Sequence, residues 1–287
     1  MAKSKLEQLL ANRVFMSKKQ KLLCDYVEDN LQEASILTAH QLAEKAGVGT
    51  ATVFRFLKDF GFSSYGEFRT EIHKYAIELN RSSYWQMKAS LQNQDGNEDI
   101  LYRHIMETTI LMQDCMNPTL SSKLTDATAQ LVQASSVGIL GLRSSKSVAL
   151  YMYALLIPFL GNLQQFSYDE HFVFEQIRNL PVNSVLFVIS GWPHTKTSVR
   201  AATFAHHLGH KVILLTNSTI CPIVSIAELT LLVPESKHQY TILPYITVVE
   251  ALVQTIAQKH VPNSLQKLDE MDRILAIEGI TDWTETS

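Results

Sequence analysis

Two short segments combine glycine with small polar side chains, a combination suited to holding an anion. The first is Gly141-Leu142-Arg143-Ser144-Ser145, and the second is Ser190-Gly191-Trp192-Pro193-His194-Thr195. Hydroxyl groups and the free amides at a helix start can bind a phosphate without a metal ion, and glycine lets a ligand approach the backbone closely. Serine and glycine at such positions are also ordinary helix caps. Each segment by itself is therefore a weak indication of a site.

A third segment, residues 38–60, has the spacing of a helix-turn-helix. This motif needs a small residue in its first helix, a glycine in its turn and an apolar residue in its second helix. Ala43, Gly47 and Val53 meet these needs in that order. The spacing predicts two helices that meet at a steep angle, the second of which can enter the major groove of DNA.

The outward side chains of that second helix are candidates for contact with DNA. Arg55 can bind guanine O6 and N7 with two hydrogen bonds, or a phosphate. Thr50 and Thr52, near the helix start, suit a base edge or a phosphate, and Thr50 is also predicted to cap the helix. Lys58 is predicted to contact a phosphate, and the start of the following helix is predicted to clamp the backbone through Ser63, Ser64 and Tyr65. The alternative is an ordinary helical hairpin with these side chains in solvent.

The elements that position these residues change in kind along the chain. Three capping boxes, beginning at Ser17, Thr38 and Ser64, each precede helical apolar spacing and predict an all-helical region of about 80 residues. Residues 81–97 are polar and predict a linker. Residues 98–116 predict a further helix, and Asn117-Pro118 opens the next one, which is predicted to continue to about residue 134.

Beyond that point short aliphatic runs alternate with helical segments. Unbroken apolar strands separated by helices indicate a parallel sheet covered on both faces, and a ligand of such a sheet binds beyond the carboxyl ends of the strands. The predicted strands are Val137–Leu140, Leu163–Phe166, Ser184–Ile189, Lys211–Leu215 and Leu229–Val233. Helices are predicted at about 146–160, 169–179, 196–208, 222–227, 240–260 and 264–276.

Composition narrows the class of protein further. The 287 residues suit two domains, 46% of them are apolar, and the net charge is −3. Residues 1–75 carry 11 basic and 9 acidic side chains, and the remainder carries 14 and 19, so the excess of positive charge is confined to the N-terminal region. The three cysteines lie far apart, no secretory signal follows Met1, and the longest apolar run, residues 148–160, is too short for a membrane span. These features predict a cytoplasmic protein without disulfides.

The segment Ala39–Arg69 resembles the N-terminal domain of the RpiR family of bacterial regulators. The resemblance covers about residues 1–78 and rests on Ala51-Thr52-Val53-Phe54-Arg55, on Gly61-Phe62 and on Tyr65-Gly66-Glu67-Phe68. It implies that the predicted helix-turn-helix binds operator DNA.

Residues 120–260 resemble the sugar isomerase (SIS) domain that forms the C-terminal half of RpiR-type proteins. The first loop matches the Gly-x-x-Ser-Ser pattern, whereas Trp192 and Pro193 replace a serine and a glycine of the second, and Thr197 stands where isomerases of this fold carry a glutamate. The resemblance implies a phosphorylated sugar as ligand and, near the pocket mouth, a histidine, here His171, for which an ordinary surface position is the alternative. The predicted ligand-binding residues are Arg143, Ser144, Ser145, His171, Ser190 and Thr195.

The sequence therefore predicts an α + α/β protein. An all-helical helix-turn-helix domain (1–80) is followed by a linker and connecting helix (81–116), a doubly wound parallel-sheet SIS domain (117–276) and a C-terminal tail (277–287).

The predicted function is a transcriptional regulator of carbohydrate metabolism genes, controlled by a sugar phosphate and acting on double-stranded operator DNA as a homodimer, or alternatively as a tetramer. No catalytic residue, metal or cofactor is expected, although His206, His207 and His210 have spacings compatible with a metal. The alternatives are a sugar-phosphate aldose–ketose isomerase with an accessory helical domain and a ligand-binding adaptor.

Overall fold

The computed structural model describes residues 9, 16–79, 84–92, 99–219, 221–236 and 239–281. The chain divides into two compact units, which adjoin in sequence at residues 94 and 95. All five strands among the described residues belong to the second unit, and they form one parallel sheet.

The described part of the first unit is helical. Ser17 and Thr38 accept hydrogen bonds from the amides of Gln20 and Gln41, whose side chains accept in return, so these two predicted capping boxes are confirmed. The helices are α1 (Lys18–Asp29), α2 (Leu31–Ala34), α3 (Ala39–Lys45), α4 (Thr50–Asp59), α5 (Tyr65–Leu79) and α6 (Trp85–Gln92).

Helices α3 and α4 form the predicted helix-turn-helix. Gly47, in the turn, has φ 66°, a left-handed conformation that favours glycine. Ala43 and Val53 are buried together with Phe56 and Leu57, so the small residue and the apolar residues of the motif pack into the core of this unit. The aromatic ring of Phe68, from α5, closes this core against those of Phe56 and Phe62.

Two predicted helix starts differ from the structure. Gly49, not Thr50, occupies the cap position of α4, and Thr50 is the first helical residue. Ser64 accepts the amide of Glu67 as predicted, but the Glu67 carboxylate accepts from the backbone N–H and hydroxyl of Ser63, each at 2.7 Å. The glutamate therefore reaches one residue further back than a capping box requires.

Helix α6 lies within the segment predicted to be a linker. The sequence does not reveal this helix, because its eight residues lack the apolar periodicity by which helices are recognised. Residues 81–83 and 93–97 of the same segment are outside the described residues. The predicted domain boundaries remain a prediction.

The second unit begins with two helices and continues as alternating strands and helices. Asp99 and Asn117 cap the first two helices through their side chains. The helices are α7 (Ile100–Asp114), α8 (Pro118–Gln133), α9 (Ser145–Leu156), α10 (Val173–Arg178), α11 (Lys196–His207), α12 (Leu243–Lys259) and α13 (Ser264–Ile277). The strands are β1 (Val137–Gly141), β2 (Leu163–Gln165), β3 (Val185–Ile189), β4 (Lys211–Thr216) and β5 (Leu229–Leu232).

The sheet has the order β2-β1-β3-β4-β5 and is covered on both faces. Alternate residues of a strand point to opposite faces. Phe187 of β3 accordingly packs into the core formed with α8, α9 and α12, whereas Leu186 and Val188 pack into the core formed with α10 and α11. The doubly wound parallel sheet predicted from the sequence is confirmed.

Some predicted elements are shorter in the structure. Helix α10 begins at Val173 rather than near residue 169, because a turn precedes it in which the Asp169 carboxylate accepts the backbone N–H of His171. The helix predicted at 222–227 is a single turn of 3-10 helix, Pro222–Ser225.

The strand order sets the position of the two glycine-containing loops. From β1 the chain goes first to β2 on one side and then crosses to β3 on the other. The loops that follow β1 and β3 therefore flank the point where the winding direction reverses, which is where ligands of open α/β sheets bind.

Candidate functional site

Helix α4 presents a polar face opposite its buried one. Arg55 and Lys58 are exposed, and Thr50 and Thr52 are half-buried on the same helix. Phe54 lies between them with 53% of its surface exposed, so the outer face also carries an aromatic ring. This arrangement of two cations and two hydroxyls, on the face of the helix that is turned away from the core, is suited to contact with a nucleic acid.

His40 is a further polar residue beside the start of α4. Its Nδ1 lies 3.4 Å from the hydroxyl of Thr50, and its side chain is exposed. The spacing of the motif did not reveal His40, because this residue lies at the start of α3, ten positions before Thr50. The turn between α3 and α4 brings the two side chains together. Lys45, at the end of α3, is instead held by Glu33 at 2.8 Å, and this lysine holds the pKa of the Glu33 carboxyl below its usual value.

The predicted backbone clamps at the start of α5 have contacts within their own unit. The Tyr65 hydroxyl donates a hydrogen bond to the Leu37 carbonyl oxygen at 2.9 Å, and burial raises the pKa of Tyr65. Ser63 donates through both its backbone and its hydroxyl to the Glu67 carboxylate, and the exposed Ser64 accepts the Glu67 amide. These contacts hold the start of α5 in place and put a carboxylate next to Ser63.

The loop after β1 is closely packed at its glycine. A side chain at Gly141 would overlap the carbonyl oxygen of Ser145 and the side chain of Ala149, so α9 approaches the strand through this position. The Gly141 amide donates to the hydroxyl of Ser167 at 2.8 Å. Arg143 has φ 55° and an exposed side chain, and Ser144 is exposed at the start of α9 with no side-chain capping bond.

The structure brings the two predicted loops together. The Gly191 amide donates to the Ser145 hydroxyl at 3.5 Å. Ser190 is buried at the end of β3, where its carbonyl accepts the hydroxyl of Thr216 at 2.7 Å and its own hydroxyl lies 3.2 Å from the imidazole Nδ1 of His194. Hydroxyl groups from both loops thus lie at the carboxyl edge of the sheet.

Residues that the sequence did not single out hold the second loop. The Trp192 amide donates to the side-chain oxygen of Asn217, and the Asn217 amide group donates to Glu235, each at 2.8 Å. The Trp192–Pro193 peptide is cis. Asn217 follows β4 directly, so this hydrogen bond joins the loop after β3 to the loop after β4. The sequence could have indicated the contact only if β3 and β4 had been known to be neighbours in the sheet.

His194 is uncharged at neutral pH. Burial lowers the pKa of its imidazole to about 4, and its Nε2 has no hydrogen-bond partner in the described structure. The indole of Trp192 packs edge-on against this ring at 5.1 Å between centroids.

The other predicted ligand residues lie at the edges of this region. Thr195 caps α11 by position but not through its side chain, and it is half-buried. His171 is exposed in the turn after β2, and within the described residues no hydrogen bond joins its ring to either loop. Thr197 is half-buried in the first turn of α11.

The three histidines with metal-compatible spacing do not share one environment. His206 and His207 are exposed at the end of α11, whereas His210 is 7% exposed and burial lowers its pKa. Among the residues that the structure describes, no group of three histidine, cysteine or acidic side chains is arranged to hold a metal ion. None of the described helices is long and apolar enough to cross a membrane.

The two units match two known domain families. Residues 3–78 match the helix-turn-helix domain of the rpiR family, and residues 130–255 match the SIS domain. A helix-turn-helix domain followed by a SIS domain defines a two-domain transcriptional regulator. The chain belongs to the RpiR family of such regulators, as the sequence predicted.

Similar proteins of comparable length are transcriptional regulators by name. The regulator HexR of Pseudomonas aeruginosa is 27% identical over 75% of this chain and 73% of its own length. An uncharacterised helix-turn-helix-type regulator of Providencia stuartii is 23% identical over 79% and 78% of the two chains.

Two solved structures share the fold. NanR of Vibrio vulnificus, complexed with ManNAc-6P, superposes with a TM-score of 0.60 and 21% identity, covering 96% of this chain and 98% of its own. The sugar isomerase domain of an RpiR transcription factor from Sphaerobacter thermophilus superposes with a TM-score of 0.54 and 22% identity, covering 59% of this chain and 97% of its own. The first shares the fold over almost the whole chain, and the second shares the fold of the SIS domain.

Proposed function

We propose that this RpiR-family protein regulates carbohydrate metabolism genes and that a phosphorylated sugar controls its binding to operator DNA. The observation that carries the proposal is the hydrogen bond between Ser145 and Gly191, which joins the two hydroxyl-bearing loops at the switch point of the sheet. The sugar phosphate in the complex of the similar regulator NanR supports the same ligand class.

In this proposal the phosphate binds where the two loops meet. The hydroxyl of Ser144, exposed at the start of the twelve-residue helix α9, and that of Ser145 face the ligand together with the free amides of the helix. Arg143, exposed beside them, adds a charge-assisted contact. Ser190, Thr195 and His171 complete the proposed set from the second loop and from the turn after β2.

Isothermal titration calorimetry against a panel of hexose 6-phosphates, with inorganic phosphate included, tests this assignment. We expect at least one panel member to bind the wild-type chain and the double variant Ser144→Ala, Ser145→Ala to lose that binding. The matched control is Ser264→Ala in α13, which leaves both loops intact. Unchanged binding by the double variant would place the ligand elsewhere.

The isomerase alternative receives less support. Aldose–ketose isomerisation needs a positioned base to move a proton between adjacent carbons, and Thr197 stands where isomerases of this fold carry a glutamate. A threonine hydroxyl is not basic at neutral pH. We therefore propose that the protein is not an enzyme, and conversion of any bound hexose 6-phosphate to its ketose or aldose isomer, followed by NMR, would overturn this.

For the DNA-binding unit we propose base contacts by Arg55, Thr50 and Thr52 and a phosphate contact by Lys58. Ser63, Ser64 and Tyr65 remain proposed backbone clamps, although their present contacts within the unit favour a positioning role for Tyr65. Since residues 1–75 have an excess of only two positive charges, a single unit would bind weakly. Two units on one operator would supply the remaining affinity.

We propose that the protein is a homodimer and that helix α7 forms its interface. The apolar helical segments 148–160 and 242–257 could have formed the dimer interface, but they bury their main apolar faces in the core of their own unit. Exposed apolar side chains concentrate instead on α7, a feature that marks interaction surfaces. They include Ile100, Leu101, Tyr102, Ile105, Met106 and Ile110. A monomer in sedimentation at micromolar concentration would contradict this proposal.

A further inference from the structure

We propose that Tyr245 selects the effector by donating a hydrogen bond from its phenolic hydroxyl to an oxygen of the sugar portion. The inference rests on the proposed sugar-phosphate site and names a specificity residue within it. The partner oxygen belongs to a hydroxyl or a carbonyl group of the sugar, while the phosphate remains with the serine loop.

The first observation is that the hydroxyl of Tyr245 is buried without a partner. Tyr245 lies in the first turn of α12 and is 7% exposed. Its proton is donated to no acceptor in the described structure, while the backbone N–H of Asn217 approaches its oxygen closely enough to act on its pKa. Buried polar groups are nearly always hydrogen-bonded, and an unsatisfied one is destabilising. An unpaired hydroxyl at this depth therefore indicates a role outside the packing of the core.

The second observation is where this hydroxyl lies. A Cβ added to Gly191 would be 2.9 Å from the Tyr245 oxygen, so the hydroxyl approaches the second loop through the space that glycine leaves. Gly191 is also the residue whose amide meets the Ser145 hydroxyl. The phenol thus reaches the point where the two proposed ligand loops join.

The third observation is that the unpaired polar groups around Gly191 carry no charge. The indole Nε1 of Trp192 and the Nε2 of His194 are also buried without hydrogen-bond partners among the described residues. The imidazole is neutral because burial lowers its pKa to about 4. Burial, and secondarily the carboxylate of Glu235, raise the pKa of Tyr245 against the smaller opposing effect of the Asn217 backbone N–H, so its proton stays on the oxygen. Neutral polar groups, among them the donors of Tyr245 and Trp192, suit the hydroxyl or carbonyl oxygens of a sugar, whereas a phosphate favours cations and helix amides.

The experiment compares Tyr245→Phe with the wild type by calorimetry. The probes are glucose 6-phosphate, fructose 6-phosphate, N-acetylmannosamine 6-phosphate, their available monodeoxy analogues and inorganic phosphate. A site that binds a hydroxyl rejects the analogue that lacks it. We expect the tightest sugar phosphate to bind Tyr245→Phe roughly 3- to 10-fold more weakly. The deoxy analogue that lacks the recognised oxygen, and inorganic phosphate, should bind both proteins equally.

The Tm of the unliganded protein distinguishes this role from a structural one. If the Tyr245 hydroxyl stabilised the fold, Tyr245→Phe would have a lower Tm than the wild type. Removing an unpaired buried hydroxyl relieves its desolvation, so the Tm of Tyr245→Phe should be unchanged or higher. The matched control is Tyr151→Phe, which removes an exposed hydroxyl bonded to Glu250 at 2.7 Å between α9 and α12. It should leave the binding of every probe unchanged.

Each contrary outcome has a distinct meaning. Equal affinity of Tyr245→Phe and the wild type for every sugar phosphate would overturn the role of Tyr245 while leaving the proposed function intact. A lower Tm with equally weakened binding of inorganic phosphate would assign the hydroxyl to structure and also overturn it. If no sugar phosphate binds the wild type, the proposed effector class fails, and the role of Tyr245 fails with it.

Discussion

The hydroxyl of Ser145 accepts the backbone amide of Gly191 at 3.5 Å, although 46 positions separate the two residues in the sequence. The contact arises because β1 and β3 are neighbours in the sheet while β2, which comes between them in the chain, lies on the far side of β1. Ligand binding at this junction would act on two loops at once, each leading into its own helix.

Arg55 is expected to contribute to sequence-specific binding. Replacing Arg55 by alanine should weaken binding to an operator obtained by in vitro selection by about 1–3 kcal/mol if the guanidinium binds a base. Binding to unrelated DNA should change much less. A gel shift at fixed salt measures both, with Arg178→Ala, exposed on α10 in the other unit, as the control. Equal affinities for the operator would remove Arg55 from the list of base contacts.

Lys58 is expected to act through charge alone. Lys58→Ala should weaken binding to specific and unrelated DNA to a similar extent. The slope of log affinity against log salt should become shallower by about one, since one phosphate contact is lost. Fluorescence anisotropy over a salt series gives this slope. Lys45→Ala is the comparison, because its ammonium group is engaged by Glu33 at 2.8 Å. A slope that stays the same in Lys58→Ala would argue against the phosphate contact.

Tyr65 is expected to matter for stability. Tyr65→Phe removes the hydrogen bond from the hydroxyl to the Leu37 carbonyl oxygen, and the free energy of unfolding should fall by about 0.5–1.5 kcal/mol. Urea denaturation measures this change, and anisotropy on the same sample measures DNA binding. Loss of DNA affinity without loss of stability would identify Tyr65 as a backbone clamp instead.

His194 is expected to make stability depend on pH. The pKa of its imidazole is about 4 in the folded protein, against an ordinary value near 6.5. Between these values the unfolded chain binds more protons, so the free energy of unfolding falls as the pH drops. We expect this group to account for about 2–3 kcal/mol between pH 7.5 and 4.

Denaturation of His194→Gln across this pH range isolates the contribution of His194. The variant should lose less stability than the wild type as the pH falls, and the exposed His206→Gln should follow the wild type. Identical pH profiles for the wild type and His194→Gln would show that the folded imidazole titrates normally.

Strong local signals in the sequence correctly predicted helix starts, a turn and the strands. The capping boxes at Ser17 and Thr38, the left-handed Gly47 and the five aliphatic strands all depend on residues close together in the chain. Helix α6 and the cap at Gly49 were missed, because an eight-residue polar helix has no periodic apolar face and a glycine cap forms no side-chain bond.

The sequence by itself determined the two-domain plan, the helix-turn-helix and the two hydroxyl-bearing loops, since apolar periodicity and glycine positions specify these locally. Only the tertiary structure decided what meets at the loops. It joined the Trp192 amide to the Asn217 side chain by a hydrogen bond, left the hydroxyl of Tyr245 against Gly191, and lowered the pKa of His194 by burial. These relations depend on strand order and on the depth of a side chain, and neither is encoded in the spacing of residues along the chain.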